Sequence, residues 1–285
     1  MIKAYLELTK PRITTLVLVT TAFGYYLAGG AHASKFYWLM LGSVLVCGGA
    51  GALNHYVERD LDALMPRTKN RPLPTGTILP FHGLLFGVIL AVSGAAILFL
   101  KINTVTALLG TFTVLLYIFV YTPMKRLTWL NTTIGAIPGA LPPLGGWAAA
   151  AGEIGAGAWY LFFIMFFWQH SHFYVIAWMC KEDYAKAGYQ MLPIVDAPDG
   201  RWTFFNIFIF MFLLIAATIT PFLFGFFGLI YLTGAVITAF FLFASGMSFL
   251  ISKSREDAVA FLKATVYYLP AVFFSIALDR WLINP

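Results

Sequence analysis

Apolar residues in this chain fall in long unbroken runs, without the regular alternation that a soluble sheet or helix surface would show. Nine such runs lie near 13–30, 37–57, 81–100, 102–121, 130–150, 158–180, 203–222, 225–251 and 261–283, separated by short polar or Pro/Gly-rich breaks. About 20 apolar residues in helical form cross the roughly 30 Å hydrocarbon layer of a bilayer. The pattern therefore predicts an all-α integral membrane protein, with nine transmembrane helices bundled around a central chamber in one domain over 1–285. The third and fourth runs touch at Lys101, and the seventh and eighth at Pro221 to Gly225, so both pairs are expected to be tight helical hairpins.

Composition agrees: 60% of the 285 residues are hydrophobic, 18% aromatic and only 11% charged, a balance typical of membrane proteins. Charge then orients the bundle. With the N-terminus inside, the inner segments hold Lys3, Lys10, Arg12, Arg59, Arg67, Lys69, Arg71, Lys125, Arg126, Lys181, Lys186, Arg201, Lys253, Arg255 and Lys263, which are 15 of the 18 basic residues. Only Lys35, Lys101 and Arg280 fall outside, as the positive-inside rule requires. The N-terminus is expected in the cytoplasm, the C-terminus outside, and the protein in a bacterial inner membrane. Ten of the twelve acids lie inside as well, leaving Glu153 and Asp279 out. A face of mixed sign suits an anion held through cation-bridged acids, and no basic run interleaved with aromatics points to nucleic acid.

Lys10-Pro11-Arg12, an apolar run and Ala31-His32-Ala33 have the outline of a signal peptide, but the run is longer than a usual h-region, so the first helix is expected to be retained. No Arg/Ser-rich organelle leader is expected. Cys47 and Cys180 have no metal-ligand spacing and read as packing residues.

The chemistry gathers where the second run ends. Residues 54–76 carry three acids and four basic residues in a chain otherwise almost free of charge. Asn54, Glu58 and Asp62 recur every four residues and share one face if the helix continues, with Asp60 then pointing elsewhere unless the helix unwinds. Oxygen ligands of this kind can hold Mg²⁺, which takes its remaining ligands from water and phosphate. Arg67 and Arg71, four apart, could grip diphosphate oxygens as planar forks. A solvated loop of mutually paired charges is the plainer alternative. The Asn at the membrane end, the regular spacing and the Arg-rich continuation favour the site.

A second cluster, residues 181–193, follows the sixth run. There Glu182 and Asp183 could serve a second cation, and Lys181 and Lys186 could neutralise a departing diphosphate. His170 and His172 lie inside the apolar run and are too close along a helix to share a face. His172 reads either as an axial ligand to haem iron, a proton carrier, or a histidine hydrogen-bonded to a neighbouring helix.

Taken together, the residues resemble the UbiA-type intramembrane prenyltransferases, and among them the branch of protoheme IX farnesyltransferases, or haem O synthases. The resemblance runs through most of the chain. It rests on Leu8-Thr9-Lys10-Pro11-Arg12; on Asn54 through Asp60 and Asp62 to Met65, Arg67-Thr68 and Arg71-Pro72; on Tyr121-Thr122 with Lys125-Arg126; and on Asn131, Gly135, Gly139-Ala140, Pro142-Pro143, Gly145 and Trp147. Trp168-Gln169, His172-Phe173, Asp183-Tyr184, Ala187-Gly188 and Met191-Leu192-Pro193 complete it, and the last groups point to the haem branch. Departures are Glu58, where the pattern usually has aspartate, Ser171, where proline is expected, and Ala187, where the wider superfamily has a second aspartate.

The resemblance implies transfer of a farnesyl group from farnesyl diphosphate to a vinyl group of haem b, with addition of water. It implies Mg²⁺ on Asn54, Asp60, Asp62, Glu58 and Asp183; cationic help from Arg67, Arg71, Lys125 and Lys181; and substrate contacts from His172 and Tyr184. Haem b is then a substrate, and haem A synthase or terminal-oxidase assembly proteins are expected partners. Prenylation of an aromatic quinone precursor is the alternative within the class. A secondary transporter would also fit many spans and intramembrane polar groups, but two acid/base loops on one side favour a shared active-site mouth.

Overall fold

The structure is a computed structural model that describes residues 1–283. Among the described residues every regular element is helical: α1 (Ile2–Leu8), α2 (Pro11–Leu27), α3 (Ala33–Asp62), α4 (Pro80–Lys101), α5 (Thr104–Leu115), a π-helical turn (Leu116–Tyr121), α6 (Thr122–Met124), α7 (Asn131–Ala151), α8 (Ala156–Met179), α9 (Lys181–Lys186), α10 (Leu192–Val195), α11 (Arg201–Leu223), α12 (Leu229–Ser252) and α13 (Arg255–Ile283). Each predicted apolar run folds as helix. Six segments among the described residues, α3, α4, Thr104–Met124, α11, α12 and α13, are long and apolar enough to cross a membrane, against the nine expected; α2 stops at 17 residues. Both predicted hairpins form, with only Ile102 and Asn103 between α4 and α5, where Asn103 caps α5 by accepting from Thr106 N–H at 2.8 Å. Polarity is inverted relative to a soluble protein: Leu16, Phe119, Phe240 and Ile251 are exposed while Asn54, Glu58, Asp62 and Asn131 are buried, an arrangement that lipid rather than water stabilises.

The chain forms two compact units, Met1–Trp159 with Glu182–Gln190, and Tyr160–Lys181 with the chain from Met191 onward. In the first, helices meet through small residues, as in membranes where close backbone approach supplies the packing energy. A Cβ on Gly146 would lie 1.9 Å from the Thr21 carbonyl oxygen, and one on Gly24 would lie 2.0 Å from that of Pro143, so α2 and α7 are in backbone contact. Gly49 and Gly94 do the same for α3 and α4. Backbone cannot yield as a side chain can, so Gly146→Ala is expected to destabilise by about 3 kcal/mol, read as thermal unfolding in detergent; an unchanged midpoint would show that the two helices are free to separate.

Two local features position the site. Lys10 links α1 to α2 in the left-handed region, φ 50°, and Pro11 takes the first position of α2, where its missing N–H would have no helical partner anyway. And α3, at 30 residues, is about 45 Å long, longer than the apolar layer is thick, so its last turns extend past the membrane-length stretch with Asn54, Glu58 and Asp62 still in helical register. The following loop is folded back onto the unit rather than solvated, pinned by Met65, Leu73 and Ile78, all buried.

In the second unit α11 is capped by Asp196, which accepts from Thr203 N–H and Oγ1 at 2.7 Å each. Those bonds hold its carboxyl below the usual range despite the opposing effect of burial. Asp279 serves α12 likewise, accepting from Gly228 N–H at 2.7 Å and Tyr231 N–H at 3.1 Å. Both cysteines are free thiols.

Candidate active site

Asn54, Glu58 and Asp62 form a buried ladder along one face of α3, and each rung meets a cation from a different part of the first unit. The Lys10 ammonium donates to the Asn54 amide oxygen and lies 3.5 Å from the Tyr117 hydroxyl. Lys125 Nζ donates to Glu58 Oε1 at 2.7 Å. Arg71 Nη1 lies 2.7 Å from both oxygens of Asp62. Asn54 Nδ2 donates to Thr122 Oγ1 at 3.1 Å, and Thr122 in turn donates to the Tyr117 carbonyl at 2.8 Å. The π-helical turn thus brings Tyr117, Tyr121 and Thr122 beside the ladder, and such turns recur at functional sites. The Lys125 ammonium sits 4.8 Å from the centre of the Tyr121 ring.

The second cluster contributes through residues that its acids did not advertise. Tyr189 donates its hydroxyl to Glu58 Oε1 at 3.2 Å. The Gln190 N–H donates to the Lys125 carbonyl at 2.7 Å, and Asn131 Nδ2 donates to the Gln190 carbonyl at 3.1 Å. The loop is therefore docked on the first motif by Tyr189 and Gln190. Asp183 and Tyr184, on the short α9, are partly buried, with the Tyr184 ring 5.8 Å from that of Tyr189.

Other predicted residues stand apart. Asp60, two positions from Glu58 on a continuous helix, faces the opposite way: its side chain is 82% exposed and lies 3.5 Å from Arg59. Arg67 and Lys181 are exposed. His172 belongs to the second unit, where Nδ1 lies 2.9 Å from Thr265 Oγ1. Consequently no group of three or more His, Cys, Asp or Glu side chains is assembled for a metal among the described residues. The sequence pattern gave Lys10 and Thr122 no role in the site beyond the resemblance, and it did not point to Tyr117 or Tyr189. A lysine before proline at a membrane boundary was a usable signal for Lys10; Tyr189 offered none.

Electrostatics follow from crowding like charges in a partly dry site. Burial, and then repulsion from Lys125, lower Lys10 to about 7. Burial would lower Lys125 too, but Tyr121 and Glu58 hold it well above its ordinary value. Burial and then Glu58 raise Tyr189. Lys10 thus binds its proton more weakly in the folded than in the unfolded chain, so between about 7 and its ordinary 10.5 the unfolded state holds more protons and stability rises with pH. Ligand-free protein is expected to gain stability relative to Lys10→Met between about pH 7 and 9, measured by thermal unfolding; a constant difference would sink the assignment.

The sequence profile of the UbiA prenyltransferase family matches residues 17–275. The chain belongs to the UbiA prenyltransferase family. Curated relatives include a protoheme IX farnesyltransferase of Solibacter usitatus, 44% identical over 97% of this chain and 98% of that protein. One of Gloeobacter violaceus is 38% identical over 96% and 91%. Solved UbiA-type structures share the fold: a digeranylgeranylglyceryl phosphate synthase with a TM-score of 0.82 at 19% identity, covering 98% of each chain, and a UbiA homologue from Archaeoglobus fulgidus bound to GPP and Mg²⁺, 0.63 at 16%, covering 96% of this chain and 99% of that one. The three-rung ladder of this UbiA protein lies on α3, whose last turns open the charged segment 54–76.

Proposed function

We propose that this UbiA-family chain transfers the farnesyl group of farnesyl diphosphate to a vinyl group of haem b, giving the hydroxyethylfarnesyl haem known as haem O, and diphosphate. The observation that carries the reading is the ladder of Asn54, Glu58 and Asp62 against Lys10, Lys125 and Arg71, joined with the names of relatives that match over nearly the whole chain. The working unit is a single membrane domain of nine spans, its N-terminus and both charged loops cytoplasmic, in a bacterial inner membrane.

Lys125 and Arg71 neutralise the carboxylates in the free site; with substrate bound, these cations and Lys10 supply donors to diphosphate oxygens, and a polyanion beside Lys10 restores its charge. The rung oxygens are all hard donors, so Asn54, Glu58 and Asp62 fit Mg²⁺, an ion that needs only one or two protein carboxylates when phosphate and water complete its shell. When bound, it supplies charge to the leaving oxygens. Asp60, exposed, and Asp183, on the docked loop, are proposed as outer contributors, with Arg67 and Lys181 meeting the diphosphate from the loops and Tyr184 contacting substrate.

As the C–O bond breaks, its electron pair leaves with diphosphate and an allylic cation remains. The haem vinyl attacks that cation to form a C–C bond, and water adds to the resulting carbocation with loss of a proton. The rings of Tyr117 and Tyr121, faces toward the Lys10 and Lys125 ammonium groups, are placed to exclude early water and tolerate positive charge. His172 is assigned to haem.

The test is mass spectrometry of purified protein in detergent with haem b, farnesyl diphosphate and Mg²⁺. A Mg²⁺-dependent product with the mass of hydroxyethylfarnesyl haem is expected; a prenylated 4-hydroxybenzoate in its place would overturn the acceptor while keeping the chemistry.

A further inference from the structure

Three residues of the second unit form a closed set of hydrogen bonds. Thr265, fully buried on α13, donates its hydroxyl to the Leu262 carbonyl at 2.6 Å. That hydroxyl has one proton, and it is committed. The 2.9 Å contact between Thr265 Oγ1 and His172 Nδ1 must then run the other way, with Nδ1–H as donor. In the neutral ring this leaves Nε2 unprotonated, with its lone pair available to a metal. Among the described residues Nε2 makes no hydrogen bond, and His172 is only partly buried. The Trp168 indole stacks on the imidazole, centroids 4.7 Å apart at 17°, and donates Nε1–H to the Thr265 carbonyl at 2.6 Å. Both rings are therefore held by one residue. His170, by contrast, is completely buried and packed face to face on Phe210 at 3.7 Å, so the two neighbouring histidines differ in access.

We propose that Thr265 is the positioning residue of the acceptor site: it selects the His172 tautomer whose Nε2 can ligate the iron of a haem substrate, while Trp168 fixes the ring plane. This rests on the haem-acceptor reading above. Outer partners of this kind orient a ligating imidazole, and removing them typically weakens metal affinity 10- to 100-fold.

Ferric haem b titrated into detergent-solubilised protein gives the test, read by the Soret band and by the electron paramagnetic signature of imidazole ligation. Wild type and Thr265→Ser should bind alike, Thr265→Val should bind about 10- to 100-fold more weakly, and His172→Ala should lose the imidazole signature. Farnesyl diphosphate binding by each variant checks the fold. Thr265→Val indistinguishable from wild type, with His172→Ala defective, would overturn the proposal alone; His172→Ala with a wild-type spectrum would overturn the haem reading as well. Nitrogen-15 NMR of the histidines in ligand-free wild type needs no substitution: a protonated Nδ1 on His172 is expected, and a protonated Nε2 would end the argument.

Discussion

Asp62→Asn is expected to reduce farnesyl transfer by about a thousandfold, the upper end of what one electrostatic contact to a leaving or developing charge contributes. Asp62 is 1% exposed, and both its oxygens accept from Arg71 Nη1, so the amide keeps the shape of the side chain while removing its charge and one of the two acceptors. Stability should fall modestly, since Arg71 is 22% exposed and water can solvate the guanidinium left behind. Arg71→Met inverts the balance: an ionised carboxylate stays buried without its counter-charge, at a cost of about 3 kcal/mol. Transfer rate and thermal unfolding, measured on both variants, separate the two effects. An Asp62→Asn protein within tenfold of wild type would remove Asp62 from the reaction.

The second large effect is expected at the middle rung. Lys125→Met strands Glu58, whose side chain is 6% exposed, leaving it neutral donors such as the Tyr189 hydroxyl in place of its ammonium partner. Removing one partner of a buried pair costs about 3–5 kcal/mol, much of it the burden of the unpaired charge. Adding Glu58→Gln should therefore recover most of the lost stability while leaving transfer abolished. That sign reversal between stability and activity is the diagnostic outcome. If the double variant is no more stable than Lys125→Met, the pair is not the origin of the loss. Glu58→Asp should also be impaired, because the shorter side chain falls about one methylene short of the 2.7 Å bond to Lys125.

The helices were legible because membrane length and apolarity are local properties: each predicted run is helical, and both hairpins formed where the runs touched. The face shared by Asn54, Glu58 and Asp62 was legible too, since a four-residue repeat on a helix fixes direction with no reference to the rest of the fold. The same rule placed Asp60 elsewhere once the helix continued to Asp62.

What meets that face was not legible. Lys10 reaches Asn54 across 44 positions, Lys125 reaches Glu58 across 67, and Tyr189 reaches Glu58 across 131. No periodicity links residues so far apart; their meeting depends on a left-handed turn before Pro11, on a π-helical turn that rotates Tyr117 and Tyr121, and on a docked loop. The tautomer of His172 is decided in the same way, by a hydroxyl 93 positions away whose proton is already spent. The sequence by itself determined the helices, the membrane and the row of polar side chains on one helix face, because each follows from neighbours along one helix; only the tertiary structure decided which cation answers which oxygen, because charge pairing depends on distance through space.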